Sequence, residues 1–165
     1  MTQILTKTFQ VDEAWARLRP VFERISDRAN STDQSRKLDH ESVAALRDAG
    51  YTTLRVPVEY GGAGLTLAEF YPFVVELGAA DSNLVQALRA HLLHVEIVLA
   101  DDNAEYRHRW LSRIGNGQIV GNAVTEVGNA LGEHKTNIVV DDEGRWLLNG
   151  HKFYSTGSLY ADWIL

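Results

Sequence analysis

Two short segments of the sequence carry side chains that could hold a conjugated ring and assist its chemistry. The segment "GNAVTE" contains Thr125, and the segment "KFYST" contains Tyr154, Ser155 and Thr156. An aromatic face can pack on such a ring, while hydroxyl and backbone N–H groups can bond its heteroatoms. A strand edge also presents alternating N–H and C=O groups. On the residues alone, both segments are more simply interpreted as β-strands with polar side chains.

Two histidines offer a second kind of chemistry. His91 falls on an apolar helical stripe with Leu84, Leu88 and Val95, so we expect it to point inward. A core histidine bonded to a backbone carbonyl is the simpler interpretation of this position. His91 and His94 could also ligate a metal from one helix face, but no carboxylate or third histidine stands at a matching position. We therefore predict no metal site.

Composition and charge limit the partners. The chain has 165 residues, 45% hydrophobic and 23% charged, with a net charge of -6 and no cysteine. Without a basic cluster, this charge argues against nucleic acid or an anionic membrane as the main partner, and favours a small molecule. The absence of cysteine suits a reducing compartment. No apolar run is long enough for a membrane span or a secretory signal, so we predict a cytoplasmic protein.

The segments must be positioned by the elements around them, and the first two thirds of the chain predict helices. An apolar stripe from Val11 to Ile25 predicts one helix, with a kink or early break at Pro20. Asp39 and Thr66 are expected to begin two more, the latter with Glu69 in a capping box. Asp81 or Ser82 begins a fourth, and "AEYRHRWLSRI" forms a fifth that ends at Gly115 and Gly117. Residues 1–117 are thus predicted to form an all-helical domain.

From Gln118 onward the pattern changes to that of strands. Four segments are predicted as strands, joined by Asp-Glu-Gly and Asn-Gly turns: "QIVGNAVTE", "TNIVV", "RWLLNG" and "KFYST". Helices followed by strands indicate an α+β fold, in which residues 118–165 begin a β-barrel-like domain that is incomplete at Leu165.

Three stretches together resemble the acyl-CoA dehydrogenase superfamily: "ALRDAGYTTLRVPVEYGGAGLTLAEF", "GNAVTEVGNALGE" and "LNGHKFYSTGSLYADWI". The resemblance implies an N-terminal helical domain, a middle β-domain and a C-terminal four-helix domain, with flavin between the last two. The chain would then hold the first domain and the start of the second. It would be truncated relative to the family, and the 165 residues alone would be inactive.

The resemblance also implies roles for the two segments. Ala123, Val124 and Thr125 match the motif that contacts the flavin pyrimidine ring. Tyr154, Ser155 and Thr156 match an aromatic residue, a variable residue and a threonine beside the reactive central ring. The expected cofactor-binding set is Asn122, Ala123, Val124, Thr125, Tyr154, Ser155 and Thr156.

The sequence departs from typical dehydrogenases at two places. Val127 replaces a proline, and Leu131, Gly132 and Glu133 replace the glycine-rich element near the FAD pyrophosphate. Leucine has no donor for a diphosphate, and a carboxylate would repel one. FAD binding in the usual manner is therefore not expected.

Polar residues at Asn122 and Ser155, with the helix "QALRAHLLH", are more similar to the flavin monooxygenases of dibenzothiophene or dimethyl sulfone. That resemblance implies reduced FMN from a separate reductase, oxygen, a small organosulfur substrate and a flavin hydroperoxide. The expected catalytic residues are His91, Ser155 and Asn122, in a full-length homo-oligomer. Two alternatives stay open: an FAD-dependent acyl-CoA dehydrogenase, and a non-catalytic helical module.

Overall fold

A computed structural model describes residues 2–128 and 133–165, with side chains from residue 10 onward. The described residues form five helices: α1 (Thr2–Ser35), α2 (His40–Asp48), α3 (Leu67–Ala80), α4 (Ser82–Ala100) and α5 (Ala104–Gly115). Four short strands follow: β1 (Val120–Gly121), β2 (Asn137–Val140), β3 (Trp146–Asn149) and β4 (Trp163–Ile164). Single 3-10 turns lie at Tyr51–Thr53, Val58–Tyr60 and Ser158–Tyr160. The predicted α+β order, helices before strands, is confirmed.

Three of the helices begin at the residues that the sequence predicts. Asp39 caps α2 and Asp81 caps α4, each with a side-chain oxygen that accepts a backbone N–H of the first turn. Thr66 caps α3 in a complete capping box with Glu69. These bonds satisfy N–H groups that a helix leaves without internal partners, which is why local sequence fixes the helix starts.

The first helix differs from its prediction at Pro20. The helix does not end there but continues to Ser35. Buried side chains on both sides of the proline, Leu18 before it and Phe22 and Ile25 after it, pack into one core. Packing of this continuous stripe offsets the backbone hydrogen bond that proline removes.

The helices enclose two apolar clusters. The larger cluster contains side chains from α1, α2, α3 and α4. It includes the fully buried side chains of Leu18, Phe73 and Leu88. The smaller joins α4 and α5 around Val98 and Ile114. Complete burial of each such side chain contributes about 1.5–3 kcal/mol, so the helical region carries most of the packing energy. Within the described part of the chain, no helix is long and apolar enough to cross a membrane.

The strands form two separate pairs. β2 and β3 form an antiparallel hairpin around the predicted Asp-Glu-Gly turn, where Asp141 accepts the backbone N–H groups of Glu143 and Arg145. β1 pairs in parallel with β4, with Val120 opposite Trp163. This second pair lies against α4, and it brings the chain's last residues beside the end of the helical region.

The prediction that "KFYST" is a strand is wrong. Its only ladder contact among the described residues is an isolated bridge between Phe153 and Thr125. Tyr154 has a left-handed backbone with φ 57°, and Gly157 has φ 75°. Positive φ at these two residues ends the extended conformation, so residues 154–157 form a turn.

Candidate functional site

The structure brings the two chemically promising segments side by side. The Asn122 N–H donates to Thr156 O at 3.0 Å, and the Phe153 N–H donates to Thr125 O at 2.8 Å. The Ala123 N–H donates to Leu165 O at 2.6 Å, so the segment after β1 also contacts the end of β4. Residues 122–125 and 153–156 therefore form one continuous surface, although 28 residues or more separate each pair of partners in sequence.

Ser155 joins the two segments through its side chain. Its Oγ donates to Asn122 O at 3.0 Å, and its own carbonyl accepts from Ser158 Oγ at 2.6 Å. The hydroxyl hydrogen of Ser155 is thus used within the site, and its oxygen also lies within hydrogen-bonding distance of Ser158 Oγ. Ser155 therefore bonds the backbone carbonyl of Asn122 at the centre of the surface.

The turn at residues 154–157 is held in a strained conformation. The left-handed backbone of Tyr154 costs on the order of 1–3 kcal/mol for a residue other than glycine. Gly157 cannot be replaced easily, because an added Cβ would lie 2.5 Å from Ala87 O on α4. The side chain of Tyr154 is 82% exposed, so the turn presents an aromatic ring at the surface.

Thr156 contacts the helical region. Its Oγ1 accepts a hydrogen bond from Nη2 of Arg89 on α4, at 3.3 Å. The hydroxyl hydrogen remains available to donate, because the arginine can only donate. Sequence analysis missed Arg89, since no spacing signal connects residues 67 positions apart.

The other edge of the surface is fixed by an ion pair. Nζ of Lys152 lies 2.7 Å from Glu126 Oε1 and 3.2 Å from Val124 O. The backbone N–H groups of Lys135 and Thr136 also donate to the Glu126 carboxylate. The bond from Lys152, together with the bonds from Thr136 and Lys135, holds the pKa of Glu126 well below its usual range. Sequence analysis missed Lys152. Its position directly before Phe153 places it beside the bridge between Phe153 and Thr125.

Val124 and Thr125 lie at the exposed part of this edge. The side chain of Val124 is 58% exposed. Among the described residues, the Val124 N–H has no hydrogen-bond partner, whereas Thr125 faces Phe153 in an antiparallel bridge. The Val124 N–H is therefore available to donate to a ligand.

His91 is buried in the core rather than at this surface. Its side chain is 0% exposed, Nε2 lies 2.9 Å from Thr52 O, and Nδ1 accepts the Val120 N–H at 3.2 Å. Nε2 must then carry the proton and donate to Thr52. Burial lowers the pKa of His91 to about 4, despite the bond to the Thr52 carbonyl. Both ring nitrogens of His91 are therefore bonded within the chain. The sequence-based prediction placed His91 at the flavin pocket, whereas in the structure its side chain holds β1.

His94 lies one turn further along α4 and is also buried. Its ring meets Trp110 of α5 edge to face, with centroids 4.6 Å apart and planes at 82°. Nε2 has no hydrogen-bond partner among the described residues, and burial lowers the pKa of His94. The two histidines therefore have different partners and do not converge on a shared ligand.

The candidate surface is open rather than a closed cavity. A cleft of about 320 Å³ lies elsewhere, between the end of α1 and the starts of α2 and α4, where Asp39, Asp81 and Tyr160 line it. That cleft contains none of residues 122–125 or 153–156. Leu131 and Gly132, which sequence analysis placed near a cofactor phosphate, lie outside the described residues.

Comparison with known protein families identifies the chain. The family model described as acyl-CoA dehydrogenase, N-terminal domain, matches residues 18–118. The chain therefore belongs to the acyl-CoA dehydrogenase family, a superfamily of flavin-dependent oxidoreductases. The resemblance found in the sequence is confirmed, and the matched region includes α2 to α5.

Individual relatives have different activities. Acyl-CoA dehydrogenase FadE12 of Mycobacterium tuberculosis is 27% identical over 137 residues, which are 81% of this chain and 35% of that protein. Dibenzothiophene monooxygenase of Rhodococcus erythropolis is 29% identical over 118 residues, which are 71% of this chain and 28% of that protein. The chain thus spans about a third of the length of these curated relatives.

A solved structure shows the same fold. TdsC of Paenibacillus sp. A11-2, in complex with FMN and indole, matches with a TM-score of 0.77 and 22% identity. The match covers 92% of this chain and 38% of the TdsC chain. At this identity the comparison shows the fold alone.

Proposed function

We propose that the protein is a monooxygenase that uses reduced FMN and oxygen to oxidise a small organosulfur compound. The observation that carries the proposal is the hydrogen bond from Ser155 Oγ to the backbone carbonyl of Asn122 at 3.0 Å, which holds these two polar residues next to each other. Many of the dehydrogenases that the chain resembles have an aromatic and an apolar residue at these two positions. A polar centre suits oxygen chemistry, because it can hold a polar oxygen species away from bulk water.

The residues of the candidate surface fit two edges of a flavin. The Val124 N–H, which has no partner among the described residues, matches an acceptor of the pyrimidine ring. Tyr154 offers an aromatic face, and the Thr156 hydroxyl keeps a hydrogen to donate. Ala123 lies between these edges, with its N–H fixed on Leu165 O.

When bound, reduced FMN supplies two electrons and two protons, so that one oxygen atom enters the sulfur compound and the other leaves as water. The chain's residues would orient these reactants. Ser155 fixes Asn122, Arg89 fixes the hydroxyl of Thr156, and Lys152 fixes Val124. His91 contributes by holding β1 through the Val120 N–H.

The proposal includes a separate flavin reductase, which would deliver reduced FMN, and a homo-oligomeric full-length protein in the cytoplasm. A sequence without cysteine suits a reducing compartment and so supports the cytoplasmic location. The exposed apolar side chains of β2 and β3 support burial against further protein, since surfaces of this kind are rarely left open.

The second candidate is an FAD-dependent acyl-CoA dehydrogenase. The relation to FadE12, at 27% identity over 81% of the chain, favours it. Such an enzyme abstracts an α-proton from an acyl thioester and passes a hydride to FAD. Its pyrophosphate contacts would have to come from residues other than Leu131 and Gly132, which lack side-chain donors.

The identity of the bound flavin and the reaction catalysed distinguish the monooxygenase from the dehydrogenase. The complete gene product is purified, its flavin is extracted and identified, and the protein is then mixed with photoreduced FMN, dibenzothiophene and ¹⁸O₂. We expect FMN binding and one ¹⁸O atom in the sulfoxide. Bound FAD that butyryl-CoA bleaches without oxygen would establish the dehydrogenase instead, and a protein that binds neither flavin would support the non-catalytic module.

A further inference from the structure

Arg89 places a positive charge beside the candidate surface without a carboxylate to neutralise it. The side chain is exposed on α4, and Nη2 donates to Thr156 Oγ1 at 3.3 Å. Among the described residues, no Asp or Glu forms an ion pair with Arg89. Its neighbours one helical turn away are also uncharged: Val85, Gln86, Leu92 and Leu93.

The same face of α4 continues as an apolar strip. Leu93 is 51% exposed and Ile97 is 50% exposed, at four and eight residues after Arg89. Eight residues of helix extend about 12 Å, so the guanidinium and Ile97 lie at the two ends of a strip that a small molecule can span. The opposite face of the helix is occupied, because Leu88 and Val95 are buried in the core.

A guanidinium in this setting is suited to an anionic group with two oxygens. Arginine has five N–H donors, and the contact with Thr156 uses one of them, so the planar fork remains able to bind a carboxylate or sulfonate through two bonds. The contact with Thr156 also limits the conformations of a long side chain, which lowers the entropy cost of binding. The charge, the apolar strip and the reactive surface are therefore contiguous.

We infer that Arg89, Leu93 and Ile97 form a subsite for an organic anion, with its charged group on Arg89 and its apolar body along Leu93 and Ile97. The inference rests on the proposed function and narrows its substrate class to an organosulfur compound that carries a carboxylate or sulfonate. The anionic group would lie next to Thr156, and the remainder of the molecule would extend along α4.

The test compares two probes of nearly the same shape that differ in charge: benzothiophene-2-carboxylate and benzothiophene-2-carboxamide. Their binding to the complete gene product is measured by calorimetry at low salt, with and without FMN. We expect the wild type to bind the carboxylate at least tenfold more tightly than the neutral probe. Arg89→Met should remove this preference, and Arg89→Lys should restore part of it. Arg109→Met, which removes an exposed arginine of α5, should keep the full preference.

The two proposals fail in different ways. A fluorescence titration with FMN tests the proposed function, and the flavin-free calorimetry still tests the subsite if FMN does not bind. Equal affinities of the two probes in the wild type would overturn the subsite. So would a preference that survives in Arg89→Met, because Arg89 would then serve only to position Thr156. Circular dichroism confirms that each variant is folded.

Discussion

The helical region and the strand region of this chain bury their apolar side chains to very different extents. Phe73, Leu77 and Leu88 are fully buried between helices of the same chain. In the hairpin, Trp146 is 77% exposed and Leu148 is 72% exposed, and residues of both hairpin faces are accessible. Burial of apolar area is the main stabilising contribution in folding, so the two regions should respond very differently to the same kind of substitution.

The contacts between the two regions combine a small apolar part, in which Ile119 and Val120 are buried with the helices, with polar and aromatic contacts. His91 bonds β1, and Arg89 bonds Thr156. The guanidinium of Arg113 on α5 lies 4.2 Å from the ring centroid of Trp163 on β4. Directional contacts of this kind fix orientation with little buried area, which is what a site built between two regions requires.

The largest expected effect is on the helical core. Phe73→Ala should lower the free energy of unfolding by about 3–5 kcal/mol, because it removes a buried ring stacked on Trp15 with centroids 3.9 Å apart. Leu148→Ala in the hairpin should change it by less than about 0.5 kcal/mol. Urea unfolding followed by circular dichroism measures both. The contrast between the regions is refuted if Leu148→Ala destabilises as much as Phe73→Ala.

The next effect is a pH dependence at the contact between the regions. The pKa of His91 is lowered to about 4 by burial, compared with 6.5 in the unfolded chain, so between these values the unfolded state binds more protons. The stability contributed by neutral His91 should be complete above pH 6.5 and lost as the pH falls toward 4, by about 3 kcal/mol. His91→Gln keeps a donor and an acceptor but does not titrate. The difference between the two unfolding profiles isolates His91, and parallel profiles would exclude this role.

A smaller effect is expected at the polar centre of the site. In the complete gene product, Ser155→Ala and Thr156→Val should each lower flavin-dependent turnover about five- to tenfold, since each removes a hydrogen bond worth about 1 kcal/mol. Unfolding free energies should change less than turnover. Stopped-flow measurements at saturating FMN provide the rates, and Ser31→Ala on α1 serves as the control. Wild-type rates in both variants would leave residues 154–156 with a structural role only.

The smallest expected effect on stability comes from substitutions in the β2–β3 hairpin, which should nevertheless reduce self-association of the chain. We expect the 165-residue chain to bind FMN weakly and to associate with increasing concentration through the open β2–β3 hairpin. Ile138→Lys and Leu148→Lys should shift sedimentation velocity profiles toward the monomer, while unfolding changes by less than about 0.5 kcal/mol. A monomeric wild-type chain that binds FMN stoichiometrically would contradict this prediction.

Much of the helical region could be predicted from the sequence because its signals are local. The capping box of Thr66 and Glu69 joins residues three apart, and Asp39 and Asp81 cap helices within the next three residues. The hairpin is also local, since Asp141 and Arg145 close its turn. The two flavin-related segments could be chosen by their residue types together with the family resemblance.

The sequence by itself therefore determined the order of helices and strands, the starts of α2, α3 and α4, the hairpin turn and the two segments that we propose to carry chemistry. Only the tertiary structure decided the conformation of Tyr154, the two backbone partners of His91 and the contact of Arg89 with Thr156. The physical reason is the sequence distance between the residues that interact. Caps and turns depend on neighbours within one turn of chain, whereas Arg89 and Thr156 meet across 67 positions, and only the packing of β1 and Gly157 against α4 brings them together.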